Sequence, residues 1–189
     1  MARQLQLIRV GLRPRRAVPG QDLLDPSITT MRVRPSDLDY YLHVNNGSYL
    51  QMMDVARSNF IADLGGFPLL RSTGWYPVVA SQTVTYRRSL TLGQRFRIST
   101  RVLGWDERVM FLEQVFTRGE DHIARGLVAG RFLTRGSGER VRPAQVAELL
   151  GASPVSPPLP DDVRAWAEAL GIAHRRVEGT DGAARSLAG

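Results

Sequence analysis

From Tyr49 onward the apolar positions Tyr49, Met52, Met53, Ala56, Phe60 and Ile61 recur at helical spacing, with Gln51, Asp54, Arg57 and Ser58 between them. The pattern predicts a helix of about five turns that Gly65-Gly66 stops. Val55 and Leu64 extend its apolar surface over most of the circumference, so the helix is expected inside a curved sheet rather than on a surface. Upstream, Thr29 to Arg34 is β-rich and ends in the turn chemistry of Pro35-Ser36-Asp37. Downstream, after a loop from Phe67 to Gly74, four strand-like runs follow at about Tyr76 to Arg88, Gln94 to Leu103, Val109 to Arg118 and Ile123 to Thr134. Leu92-Gly93, Gly104-Trp105-Asp106-Glu107 and Gly119-Glu120-Asp121 separate these features as hairpin connections do, so the strands are expected to be antiparallel. Gly126 and Gly130 inside the last run suggest a bulge, or a close approach of backbone or ligand.

The ends of the chain read differently. Residues 1 to 28 hold scattered apolar positions and then Pro14, Pro19-Gly20 and Pro26, which break any long element. Arg13, Arg15 and Arg16 make this segment basic, and it reads as a surface arm. Residues 29 to 136 form the one expected core domain. Residues 137 to 189 form an extension: a short helix from Pro143 to Leu150, a linker with four prolines between Ala152 and Pro160, and a helix from Asp161 to Leu170 closed by Gly171. From Gly179 the chain is expected to fray. The linker suggests that the terminal helix is separable from the core.

Composition narrows the chemistry. The chain has no cysteine, and His43, His122 and His174 are scattered without ligand spacing, so disulfides, thiolate chemistry and a metal centre are not expected. All 25 basic residues are arginine and the net charge is +7, but the arginines are spread along the chain, which favours a solvated surface over nucleic-acid binding. No apolar stretch approaches the roughly 20 residues of a membrane span, so a soluble, cytoplasmic protein is expected.

Between the first strand and the helix lies Asp37-Leu38-Asp39-Tyr40-Tyr41-Leu42-His43-Val44-Asn45-Asn46, and the pattern continues to Tyr49. Asp-Leu-Asp-x-x-x-His-Val-Asn-Asn-x-x-Tyr resembles the active-site loop of hotdog-fold thioesterases, including bacterial hydroxybenzoyl-CoA thioesterases and plant acyl-carrier-protein thioesterases. The resemblance covers roughly Thr29 to Thr134. It implies an α+β hotdog fold, an antiparallel sheet of about five strands wrapped around one long helix. It also implies hydrolysis of acyl-CoA or acyl-carrier-protein thioesters without a cofactor, in a homodimer or a tetramer. Asp39 matches the family's catalytic carboxylate, nucleophile or general base, and His43 a histidine used in some branches. Tyr41, Asn45, Asn46, Gly47, Ser48 and Tyr49 are then the substrate-binding positions. Where the plant-type enzymes have asparagine this chain has Tyr41, a departure that resembles the thioesterase superfamily member 6-like branch, some of whose members carry an N-terminal membrane anchor.

The residues support the same chemistry. Thioester hydrolysis needs an attacking oxygen, a proton acceptor, and donors for the oxyanion. Asp39 and His43 can meet the first two needs. The helix start around Asn46, Gly47 and Ser48, where backbone N–H groups carry about half a positive charge, can meet the third. A non-catalytic acyl-CoA binder or regulator is the main alternative. A hydratase is disfavoured because its Asp and His loop pattern is missing.

Overall fold

The computed structural model describes residues 2–169 together with Gly171 and Ile172. In chain order the elements are α1 (Ala2–Leu12), β1 (Ser27–Arg32), α2 (Asn46–Asp63), α3 (Gly66–Thr73), β2 (Trp75–Tyr86), β3 (Arg95–Trp105), β4 (Met110–Arg118), β5 (Asp121–Thr134), β6 (Arg140–Val141), α4 (Pro143–Leu149) and α5 (Asp161–Ala169). The sheet runs β1-β3-β4-β5-β2 with every pairing antiparallel, and β6 adds to β5 where β4 has ended. It curls around α2, as the apolar circumference of that helix requires: Met52, Met53, Val55 and Ala56 are each 0% exposed. This is the expected hotdog arrangement. Gly126 on β5 is where helix and sheet come closest, since a Cβ there would lie 2.4 Å from Met53 Cε. No described helix is long and apolar enough to cross a membrane.

Three segments differ from the expectation. The stretch from Phe67 to Gly74, read as a loop, is the greater part of α3: the chain reverses at Gly65 and restarts, and Leu70 anchors the new helix in the core. Pro68 is accommodated because it falls in the first turn, where a missing N–H leaves no helix bond unmade. The segment read as a basic arm begins with α1, which packs along α2. Its Arg3 is buried, and Arg15 pairs with the buried Asp63 near the end of α2.

The third difference is the tail. Alternation along β4 and β5 sends Phe111, Leu127 and Ala129 to the outer face of the sheet, and Val163, Ala167 and Ile172 cover them in a second apolar cluster. The proline-rich segment is seated as well. Ser156 Oγ accepts from the Trp105 N–H at 2.8 Å, and the Trp105 indole donates to the Pro154 carbonyl at 3.2 Å. A Cβ on Gly104 would stand 2.9 Å from Pro157 O, so the strand has no room for a side chain under this crossing. The linker therefore does not free the terminal helix, because the apolar outer face needs a cover. Leu170, His174 and the stretch from Gly179 lie outside the described residues.

Beside that cover, Glu113 is bound by Arg101 Nε at 2.9 Å and by Arg125 Nε at 2.6 Å, while Arg125 also reaches Asp162 at 2.5 Å. Burial alone would push the Glu113 carboxyl up, but the two guanidinium groups outweigh it and hold it below its ordinary value. A depressed carboxylate contributes stability above its unfolded pKa of about 4.3 and loses that contribution as pH falls through the folded value. Glu113→Gln is accordingly expected to flatten the fall of the melting temperature below about pH 4.3; an unchanged acid limb in thermal melts would count against this. Truncation after Gly151 exposes at least Phe111 and Leu127, worth about 2 kcal/mol each, and is expected to lower the melting temperature by about 10 °C or more. A truncated chain that melts cooperatively at the wild-type temperature would show that α5 is dispensable.

Candidate active site

The loop between β1 and α2 is built on a buried ion pair. Arg3, 34 residues away in sequence, donates from Nε to Asp37 Oδ1 at 2.8 Å and from Nη2 to Oδ2 at 2.5 Å. Both side chains are nearly dry, 2% and 1% exposed. The Arg34 N–H adds a third bond to Asp37 Oδ2 at 2.8 Å, and the Asp37 carbonyl accepts the Asn45 N–H at 2.8 Å. Asp37 thus joins α1, the end of β1 and the start of α2.

Above this base the chain makes a tight hairpin. The Asp39 N–H donates to the His43 carbonyl at 2.8 Å, the Leu42 N–H returns to the Asp39 carbonyl at 3.1 Å, and Leu38 and Val44 pair as a short antiparallel bridge. Closing so short a loop puts Leu42 at φ 62, left-handed backbone that a branched side chain rarely adopts. Strain of this kind costs on the order of 1–3 kcal/mol and persists only where the surroundings over-determine it. The tip, Tyr40, Tyr41 and Leu42, is 83%, 67% and 68% exposed.

Asp39 is half-buried, and its Oδ1 accepts the N–H groups of Tyr41 at 2.9 Å and His43 at 3.3 Å. Among the described residues nothing donates to Oδ2, so one carboxylate oxygen orients the group and the other is available. His43 is exposed, and its imidazole makes no hydrogen bond to Asp39 among the described residues. At the start of α2, Asn45 is the cap: its Oδ1 accepts the Gly47 N–H at 2.8 Å and its carbonyl the Ser48 N–H at 2.9 Å. Of the three donors expected at this turn only the Asn46 N–H is left without a partner among the described residues. The loop therefore brings Asp39, Tyr41, His43, Asn45, Asn46 and Gly47 to one exposed region.

Ser48 and Tyr49 fall elsewhere, both buried. The Tyr49 ring lies 5.0 Å from Tyr86 and 5.2 Å from Phe116, centroid to centroid. Burial pushes its phenol up to about 12, against the opposing effect of the Leu90 N–H. It is a wall of the core rather than an open contact.

A polar network deeper in the molecule has no counterpart in the motif. Arg57 pairs with Asp54 and donates to Gln114 Oε1 at 2.7 Å, and Gln114 Nε2 donates to the Met53 carbonyl and Thr100 Oγ1. Burial holds the Arg57 guanidinium below its ordinary value even with Asp54 beside it. The signal was present in the alternation: Gln114 is a polar residue at an inward position between Leu112 and Phe116. Arg3 had no such signal, being one arginine among 25 basic residues. No three His, Cys, Asp or Glu side chains converge among the described residues.

A model of the thioesterase-like superfamily matches residues 33–167. The zebrafish (Danio rerio) protein THEM6 is 31% identical over 165 residues, covering 87% of this chain and 80% of that protein. The Escherichia coli long-chain acyl-CoA thioesterase FadM is 29% identical over 89 residues, 47% of this chain and 67% of that one. Among solved structures, the probable thioesterase YbaW of Escherichia coli superposes with a TM-score of 0.61 at 24% identity, over 65% of this chain and 95% of that one, a likeness of fold.

Removing the Arg3 guanidinium would strand a buried carboxylate. Arg3→Ala is expected to cost about 3–5 kcal/mol in urea denaturation, far above the roughly 0–1 kcal/mol of an exposed pair. A loss within that smaller range would mean that α1 does not hold the loop.

Proposed function

The chain belongs to the thioesterase-like superfamily, and from that premise we propose that it is a cytoplasmic hydrolase of acyl-CoA or acyl-carrier-protein thioesters, with Asp39 as its catalytic carboxylate. The observation that carries this reading is the divided carboxylate: Oδ1 is held by two backbone N–H groups while Oδ2 is left for chemistry. Oδ2 either attacks the acyl carbonyl, expelling the carrier thiolate and forming an anhydride that water then cleaves to free acid and Asp39, or takes the proton of a water whose attack expels the thiolate; in both routes the thiolate is then protonated. In this reading the unpartnered Asn46 N–H at the positive end of α2 stabilises the oxyanion. His43, on the same exposed loop, assists water or the leaving sulfur. Tyr41, Asn45 and Gly47 border the substrate.

A homodimer suits this site. The order of the sheet leaves β2 as a long open edge, and the apolar tip Tyr40 to Leu42 is exposed beside the candidate site. A second copy that pairs along β2 would remove that edge. Acyl-CoA binding without turnover is the competing reading, favoured by the absence of a hydrogen bond between the His43 imidazole and Asp39.

The test is a panel of acyl-CoA thioesters with detection of the freed thiol, to which a chain without cysteine adds no background. Asp39→Asn is expected to lower turnover by at least about a hundredfold with acyl-CoA binding retained, and His43→Ala by about tenfold. Full activity of Asp39→Asn at the wild-type melting temperature would remove Asp39 from the site, and wild-type binding without any turnover would establish the competing reading.

A further inference from the structure

The register of β1 against β3 sets Arg32 directly opposite Arg95 on the exposed outer face of the sheet. The Arg32 carbonyl turns away from β3 and accepts Arg3 Nη2 at 2.8 Å. The two arginines therefore form the kind of antiparallel pair that exchanges no hydrogen bonds and holds its side chains closest, with Cα atoms about 4.5 Å apart. Like charges placed in this way destabilise a sheet. Other arginines on or beside the sheet are neutralised: Arg101 and Arg125 share Glu113, and Arg88 and Arg118 share Asp121. Among the described residues no carboxylate pairs with Arg32, Arg34, Arg95 or Arg97.

These charges border a recess of about 290 Å³ between α1 and the open edge of β1, with Arg3, Gln6, Thr30, Arg32, Arg34 and Arg95 on its walls and no carboxylate among them. Arg3 is engaged by Asp37 and Gln6. Arg32 uses only its Nε, which donates to the Gly93 carbonyl at 2.8 Å, and the guanidinium groups of Arg34 and Arg95 make no hydrogen bond among the described residues. The recess therefore offers several unused donors and an excess of positive charge. Guanidinium forks match phosphate oxygens two at a time. An anion between Arg32 and Arg95 would also relieve their repulsion, so what costs stability in the empty sheet strengthens binding. The volume lies at the small end of ligand sites, about 300–1,000 Å³, which suits a compact group.

The recess shares its supports with the candidate loop. Arg3 borders the recess and holds Asp37, and the Arg34 N–H donates to the same carboxylate. The turn that receives Arg32 at Gly93 also pairs Thr91 with His43 as a short antiparallel bridge.

We propose that Arg32, Arg34 and Arg95 bind a phosphate or diphosphate group in this recess, with Thr30 and Gln6 beside it. Two sources carry that chemistry, the phosphates of the thioester's own carrier and a free phosphate compound. The site stands without the hydrolase reading; only the carrier as source rests on it.

The experiment is calorimetric titration of the full chain at low salt with inorganic pyrophosphate and with adenosine 3′,5′-bisphosphate, and saturable binding of at least one is expected. Arg95→Gln, and independently Arg34→Gln, are expected to weaken it by at least about tenfold, the scale of one lost hydrogen-bonded contact to a charged group. Arg71→Gln, which removes the same charge from α3 and not from the recess wall, is expected to leave binding within about twofold of wild type. Because Arg95 is exposed and faces a like charge, its variant is expected to melt no lower than wild type; a lower melting temperature would give Arg95 a structural part, and Arg34→Gln then decides. No saturable binding, binding that neither recess variant weakens, or equal weakening by Arg71→Gln overturns the proposal. The source is read from hydrolysis of butanoyl-CoA and butanoyl-pantetheine. A KM for the CoA ester raised at least about tenfold in Arg95→Gln, with kcat and the pantetheine ester within about twofold, assigns the phosphates to the carrier, whereas unchanged kinetics with pyrophosphate binding lost assigns a free phosphate compound. Phosphate binding without any hydrolysis would leave this site standing and the hydrolase reading fallen, and hydrolysis without phosphate binding the reverse.

Discussion

The loop that carries the candidate chemistry depends on one interaction, the buried pair of Arg3 and Asp37. A carboxylate that is 1% exposed is tolerable only when charge and hydrogen bonds replace water, and here the guanidinium supplies both while the Arg34 N–H takes a third contact. With its side chain occupied, Asp37 turns its carbonyl to the Asn45 N–H and so fixes where α2 begins. The register of the Asp39 to His43 hairpin, the strained Leu42 backbone and the cap at Asn45 all follow from that fixed point.

A matching arrangement occurs at the far end of α2. Asp63, also buried, accepts from Arg15 and from Ser27 Oγ, and its carbonyl takes the Val18 N–H at 2.8 Å. The N-terminal segment is therefore tied near both ends of the central helix by arginine to aspartate contacts. These bonds account for a basic segment that is docked rather than solvated. Between them α1 lies along α2 and lends Leu7 to the wall of a cavity of about 380 Å³ beside that helix.

The two faces of the sheet solve different problems. The inner face closes on α2 and requires small residues where the backbone approaches the helix, as at Gly126. The outer face carries an apolar patch around Phe111, Leu127 and Ala129, and α5 covers it while the Glu113, Arg101, Arg125 and Asp162 charges rim it. What stays uncovered includes the edge strand β2 and the Tyr40 to Leu42 tip. The tip adjoins Asp39 in sequence, so part of the exposed apolar surface belongs to the candidate site.

The hydrophobic pattern alone determined the central helix, the antiparallel strands around it and the polar loop between first strand and helix, because periodicity and turn chemistry act over a few residues. Local signals also marked the helix start at Asn46, whereas Asp39 and His43 were singled out by the resemblance of their loop to the hotdog thioesterase motif. Local signals could not reveal which donors remain free once Asn45 caps its own helix, since that depends on a side-chain rotamer, nor that Tyr49 turns inward between Tyr86 and Phe116. They misread α3, because a pair of glycines marks a reversal without saying whether a helix resumes, and they left α1 and α5 as loose ends. Those decisions belong to the tertiary structure: a buried aspartate needs a cation from anywhere in the chain, and an apolar sheet face needs a cover from whatever segment can reach it. Neither requirement leaves a mark at the position in the sequence that meets it.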